Sequence, residues 1–349
     1  MVRQKVAVIF GGRSGEHEVS VNSARSVIGA LDRERWEVVP IAITRGGAWL
    51  GPDETEAGLR EGKAAFAGGT GGALTSTAAL RALAGCDVAF PLVHGTYGED
   101  GTLQGFLEIS GLPYAGAGVA ASAIGIDKAL MKALFREAKI AGALYSVIRS
   151  WEYALDEMIA TKLIEANLGY PCFVKPANGG SSVGITRALS REDLPAAFAA
   201  AFAYDDKVVV EQAVHGREVE CSVLGNERPE ASIVGEVVPD REFYDYDSKY
   251  SIGSHTELLI PAPLDPAVAE KVRGLAVRMY QVVGCEGYAR VDFFVTPDGV
   301  LANELNTIPG FTSISMYPKL WEASGLPYGQ LLTRILELAF ERHERRSRR

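Results

Sequence analysis

The chain has 349 residues, 47% of them apolar and 23% charged, a composition that excludes a disordered or fibrous protein. Its length predicts two or three α/β lobes sharing a cleft. A net charge of −9 argues against nucleic acid as a partner, the apolar run at residues 6–10 is too short for a signal segment, and no stretch reaches the roughly 20 apolar residues of a membrane span.

Four scattered cysteines, Cys86, Cys172, Cys221 and Cys285, form no C-x-x-C pair, which speaks against a disulfide framework or zinc site and for a reducing cytoplasm. The basic tail, residues 342–349, reads as a solvated helix terminus.

Residues 5–10 read as a buried parallel strand, followed by Gly11-Gly12 and a helix with Val21, Ala24, Ile28 and Leu31 on its apolar side. Strands at residues 38–43 and 86–93 extend a small parallel sheet. The Gly, Ala and Thr-rich residues 58–77 are expected to be loop with room for a short helix. The loop Gly11-Gly-Arg-Ser-Gly-Glu-His-Glu18 lacks the G-x-G-x-x-G spacing of a dinucleotide site. Glu16 would repel a pyrophosphate; it is either a solvated loop glutamate or, given its place at the carboxyl end of a strand, a partner for a substrate ammonium. His94, alone at a strand end, reads first as a hydrogen-bonded structural group and only in second rank as a substrate contact.

A second lobe opens with a helix expected over residues 127–142. A helix over 158–166, a strand over 171–175, a Gly-rich turn, a helix capped by Ser190 with Asp193, and a strand over 207–211 complete it. The segment Phe173-Val-Lys175-Pro-Ala-Asn-Gly-Gly-Ser181-Ser182-Val-Gly184 sets a lysine at a strand end before glycines and hydroxyls. Backbone N–H groups and a point charge can cradle phosphates there, although the lysine precedes the glycines and the sequence is no Walker A loop. Glu211 and Glu218 follow at strand ends, placed to meet a base and ribose or to be solvated at an edge.

The third lobe carries strands at 217–224 and 230–238, an irregular aromatic loop at 240–257, and a helix announced by Asp265-Pro266. A hairpin, residues 288–295 and 300–306, turns at Thr-Pro-Asp-Gly. Period-2 geometry sets Arg290 and Asp292 on one face, and Glu304 and Asn306 on the adjoining one. Two carboxylates and an amide without His or Cys select a hard cation such as Mg²⁺.

The order of Gly11-Gly12…Glu16…Glu18-Val-Ser20, His94-Gly95…Glu99 to Gly105, Lys175-Pro…Gly180-Ser-Ser-Val-Gly184, Phe243-Tyr-Asp-Tyr…Lys249-Tyr250 and Asn303-Glu-Leu-Asn-Thr-Ile-Pro-Gly310 resembles the D-alanine:D-alanine ligases of the ATP-grasp superfamily. The resemblance spans nearly the whole chain and is weakest at residues 51–83, taken as a variable loop region. It implies an α/β ATP-grasp architecture: an N-terminal parallel-sheet lobe (1–120) and two α+β lobes (121–210 and 211–349) that enclose ATP. It further implies Lys128 and Lys175 on phosphates, Ser182 in the phosphate loop, and Glu211, Val214, Glu218, Phe243 and Phe294 around the nucleotide. Asp292, Glu304 and Asn306 would hold two magnesium ions, with manganese able to substitute.

On the same resemblance, Glu16 takes the ammonium of the first D-alanine, which becomes D-alanyl phosphate, and the amine of a second D-alanine attacks it. Arg290 and the N–H of Gly310 stabilise the oxyanion, Lys249 and Ser315 meet the second carboxylate, and Ser181 and Tyr250 link Glu16 to a closing loop. A cytoplasmic homodimer making a peptidoglycan precursor is the expectation. The alternative is a sibling ligase joining D-alanine to another amino or hydroxy acid, disfavoured by Lys249-Tyr250. A Rossmann oxidoreductase would leave Lys175, Asp292 and Glu304 without a purpose.

Overall fold

A computed structural model of the chain describes residues 3–62, 66, 68, 76–238 and 257–348. The N-terminal apolar runs form a parallel sheet of β1 (Gln4–Gly11), β2 (Trp36–Ile43) and β3 (Val88–Pro91), in the order β2-β1-β3. Val6 pairs with Val38 on one side and Val88 on the other. Val6 to Phe10 are wholly buried, as a strand covered on both faces requires.

The next sheet is antiparallel. It contains β4 (Tyr145–Arg149), β5 (Cys172–Pro176), β6 (Thr186–Ala188) and β7 (Lys207–Gln212), in the order β4-β7-β5-β6. Val174, Val208 and Val210 meet Leu194, Ala197 and Phe198 of the helix Leu194–Phe202 in its core. The third sheet consists of β8 (Arg217–Gly225), β9 (Glu230–Val238), β10 (Glu257–Leu259), β11 (Gly287–Thr296) and β12 (Gly299–Asn306), in the order β10-β9-β8-β11-β12. The helix Pro266–Val283, capped by Asp265, covers one face through Val272, Ala276, Met279 and Tyr280.

Four expectations need correction. Residues 51–83 are not simply loop: Pro52–Glu61 and Thr77–Ala84 are helices, the first with proline and two acids in its opening turn, the second capped by Ser76. The helix expected over 127–142 is Lys128–Glu137, because Lys139 takes a left-handed φ of 57° and Ile140 N–H turns back to the Phe135 carbonyl. The Gly-rich turn contains the extra strand β6, and Ser190 with Asp193 caps a short 3-10 turn ahead of the helix.

The basic tail is a solvated terminus only in part, with Glu344, Ser347 and Arg348 exposed and its start packed. The helix Tyr328–Ser347 lays Leu331, Leu332, Ile335 and Leu336 into the same core as Val6, Val8 and Phe10, each fully buried side chain contributing about 2 kcal/mol. Beyond them Arg342 is buried, its guanidinium 4.2 Å from the Tyr114 ring centre and donating to the Tyr114 and Gly116 carbonyls. Arg345 and Arg346 reach Glu286, and Arg346 also reaches Glu108. No described helix is long and apolar enough to cross a membrane.

Candidate active site

The chain leaves β1 through a loop whose last residue, Glu16, precedes the helix His17–Ala30. Ser14 fixes this loop by donating to the His94 carbonyl at 2.6 Å. The His94 ring is buried, with Nδ1 2.8 Å from the Ile308 carbonyl and Nε2 3.1 Å from Ser23 Oγ. Neither ring nitrogen is left to a substrate in this arrangement, so His94 ties the first lobe to the segment after β12.

Glu99 makes a second tie. Its oxygens accept from Gly95 N–H at 2.6 Å and Ile308 N–H at 3.0 Å. Burial, together with the neighbouring Glu16 carboxylate, pushes Glu99 up to about 8, and burial pushes His94 down. Both shifts favour the uncharged forms.

Across the cleft, the loop after β5 meets Glu16 directly. The Ser181 hydroxyl donates to Glu16 Oε1. Ser181 and Ser182 both hold left-handed backbone, φ 51° and 59°. At Gly180 an added Cβ would stand 2.7 Å from Glu16 Oε2, so a side chain there would push the Glu16 carboxylate aside. The loop's base is pinned by Asp205, which accepts from Asn178 N–H at 2.7 Å and its amide at 2.8 Å.

Lys175, on β5, places its ammonium 3.0 Å from Glu211 Oε2, and Lys132 lies 3.2 Å from the other oxygen. Burial alone would raise Glu211, and the two lysines reverse this and hold it at about 2. Lys128 donates to the Gly179 carbonyl at 2.6 Å. Burial pushes its pKa down and the Lys175 charge adds to the effect, while Glu304 opposes it.

In the third sheet Asp292 faces Glu304 and Arg290 faces Asn306, with a bulge after Asp292. Arg290 donates to both Asp292 oxygens, at 2.8 and 2.7 Å, and its Nε lies 2.9 Å from Glu220 Oε2. Asn306 donates to Asp292 Oδ2 at 3.0 Å. Burial works against the Arg290 charge, but Asp292 and Glu220 outweigh it and hold the group protonated.

Among the described residues, no group of three or more His, Cys, Asp and Glu forms a ready metal cage. Two carboxylates and an amide are the partial oxygen set that Mg²⁺ uses when substrate phosphates supply other ligands. Near the hairpin's end Ser315 Oγ stands 2.7 Å from Thr312 Oγ1, close beside Gly310.

These groups surround one cavity of about 690 Å³. Of the expected site residues, Glu16, His94, Lys128, Lys175, Ser181, Ser182, Glu211, Val214, Glu218, Arg290, Phe294, Glu304, Asn306, Gly310 and Ser315 all line it. Asp292 does not line it and sits behind the wall, held by Arg290 and Asn306. Phe243, Lys249 and Tyr250, with most of the expected aromatic loop, lie outside the described residues.

Family models for the D-ala D-ala ligase N-terminus and C-terminus match residues 5–117 and 134–337. The chain belongs to the D-alanine–D-alanine ligase family. It is 48% identical over 344 residues to the D-alanine–D-alanine ligase of Halothermothrix orenii, covering 98% of this chain and 99% of that one. It is 46% identical over 354 residues to the ligase of Geobacillus kaustophilus, covering 98% and 96%. Among solved structures it is similar to the D-alanine-D-alanine ligase from Coxiella burnetii, with TM-score 0.85, 36% identity, and 99% and 96% of the two chains covered. It is also similar to the VanG D-Ala:D-Ser ligase from Enterococcus faecalis, with TM-score 0.83, 37% identity, and 97% and 100% covered. The fold is accordingly ATP-grasp.

Within this family framework, sequence reasoning missed three groups. Glu99 stood in a motif used only for the resemblance. Glu220 shares a strand face with Glu218 by alternation, a signal that was there to use. Lys132 follows Lys128 by one helical turn, yet nothing near it in sequence reveals its partner Glu211.

Proposed function

We propose that this protein joins two D-alanine molecules to D-alanyl-D-alanine at the expense of ATP, through D-alanyl phosphate, in peptidoglycan precursor synthesis. The observation that carries the reading is the convergence of Glu16, the two lysines Lys128 and Lys175 with the loop after β5, and the acid-and-amide hairpin on one cavity. Each part matches a need of the reaction. A carboxylate is a poor acyl donor until its oxygen takes the γ-phosphoryl group and ADP departs. The second amine then forms the C–N bond as phosphate leaves.

Glu16 orients the first D-alanine by its ammonium, and Ser181 fixes the Glu16 carboxylate from the opposite lobe. Lys128 and Lys175 meet the phosphates, with the N–H groups around Ser181 and Ser182 behind them. Glu211, Val214, Glu218 and Phe294 border the nucleotide. Arg290 and the Gly310 N–H face the developing oxyanion, and Ser315 with Lys249 takes the second carboxylate. Asp292, Glu304 and Asn306 would hold the magnesium, which when bound neutralises phosphate charge.

The family resemblance supports two metal ions, a cytoplasmic homodimer, and lobes divided near residues 120 and 210. Similarity to a D-Ala:D-Ser ligase makes D-serine the competing second substrate. Phosphate release and product identity, measured with ATP, magnesium and a panel of D-alanine, L-alanine, D-serine and D-lactate, test the assignment. D-alanyl-D-alanine as the main product with D-alanine and ATP is the expected result. Failure to form it, with a mixed D-alanyl-D-serine product instead, would overturn the second-substrate assignment.

A further inference from the structure

Lys132 stands behind the cavity wall. It belongs to the helix Lys128–Glu137, is only 6% exposed, and does not line the cavity. Its ammonium lies 3.2 Å from Glu211 Oε1 and 6.0 Å from the Tyr145 ring centre. Glu211 therefore divides its two oxygens between a lysine that reaches the cavity, Lys175, and one that does not.

The two lysines are not equivalent once a polyphosphate enters. Lys175 is then offered several negative oxygens on the open side, in competition with the single carboxylate behind it. If Glu211 had Lys175 alone, that exchange would leave an unneutralised carboxylate buried in the wall, which is strongly unfavourable unless the group moves or takes a proton. Lys132 cannot follow the nucleotide. The backbone fixes Glu211 as well, since it pairs in register with Tyr145 on one side and Phe173 on the other.

We propose that Lys132 is a positioning residue for nucleotide binding: it retains the Glu211 carboxylate, charged and in place, while Lys175 is released to the phosphates. The proposal rests on the reading of this cavity as the ATP site and adds a residue that touches neither substrate. It explains why a second lysine is buried here, where apolar packing would otherwise be preferred. It also gives Lys175 a stored resting partner instead of a flexible search.

The test measures equilibrium binding of ATP with magnesium, and the steady-state constants for ATP and D-alanine. The proteins are the full-length wild type, Lys132→Met, Lys132→Arg, Glu211→Gln and the double variant Lys132→Met/Glu211→Gln. Lys132→Met is expected to raise Kd and KM for ATP about tenfold, while KM for D-alanine stays within about twofold and Lys132→Arg recovers most of the loss. In the Glu211→Gln background the same change is expected to add less than about twofold, because no charge remains to be held.

Should Lys132→Met alone fail to fold, the comparison of Glu211→Gln with the double variant, which buries neither charge, still decides. Equal ATP affinity in those two supports the route through Glu211, and a further tenfold loss overturns it. Unchanged ATP affinity in a folded Lys132→Met also overturns it. A wild type that binds no ATP would instead bring down the nucleotide reading on which the proposal stands.

Discussion

The Ser181 hydroxyl is bonded to the Glu16 carboxylate although 165 residues separate them, so the loop after β5 and the loop after β1 are tied across the cleft. Ser181→Ala removes the donor and leaves Glu16 less constrained. A charge-assisted bond of this kind is worth about 1.5–3 kcal/mol, so KM for the first D-alanine is expected to rise at least about tenfold while KM for ATP changes little. Initial rates with each substrate varied in turn check this, and equal effects on both constants would count against it.

Lys175→Met deletes a charge from the cavity but leaves Lys132 beside Glu211. The protein is therefore expected to stay folded, with kcat/KM for ATP lowered roughly 100-fold, as for loss of an electrostatic donor at a reacting group. Thermal melting alongside ATP-dependent kinetics separates the two effects. A variant with normal ATP kinetics would remove Lys175 from the phosphate site.

Glu304→Gln keeps the size of the side chain and removes one of the two carboxylates facing across β11 and β12. The magnesium concentration giving half-maximal rate is expected to move upward by about tenfold. Titration of activity with magnesium at saturating substrates measures this. An unaltered midpoint would make the hairpin acids structural.

Glu99 offers a pH test. Its carboxyl lies at about 8 in the folded chain against an ordinary 4.5, so between these values the folded state binds the extra proton. Its contribution to stability is complete below the lower value and is lost as pH rises through the upper one. Glu99→Gln abolishes the titration, so denaturant unfolding at about pH 5 and about pH 9 should show a smaller fall in stability with rising pH than the wild type shows. An identical pH slope in the two proteins would mean that Glu99 is ionised throughout.

What the sequence revealed follows the physical range of each signal. Continuous apolar runs marked β1 and β3, and alternation with a Pro-Asp-Gly turn marked the β11–β12 hairpin and hence the pairing of Asp292 with Glu304. Both are local patterns. The helix Pro52–Glu61 had a legible start in its proline and acids but was obscured by the Gly and Ala-rich stretch that follows. Arg342 looked like solvated tail because its neighbours in sequence are charged, whereas its partners are the carbonyls of Tyr114 and Gly116. Lys132 and Glu211 are hidden for the same reason: their pairing joins the helix Lys128–Glu137 to β7, distant in sequence, and no spacing rule along the chain encodes it.

The seating of the helix Tyr328–Ser347 against β1 has a consequence for the order of synthesis. A ribosome delivers Val6, Val8 and Phe10 roughly 320 residues before Leu331 to Leu336, so one side of the first sheet's core stays uncovered while that intervening chain is made. During that interval its apolar surface is available to chaperones and to other nascent chains. Loss of the helix Tyr328–Ser347 by premature termination would therefore damage a sheet made long before it, far from the cut.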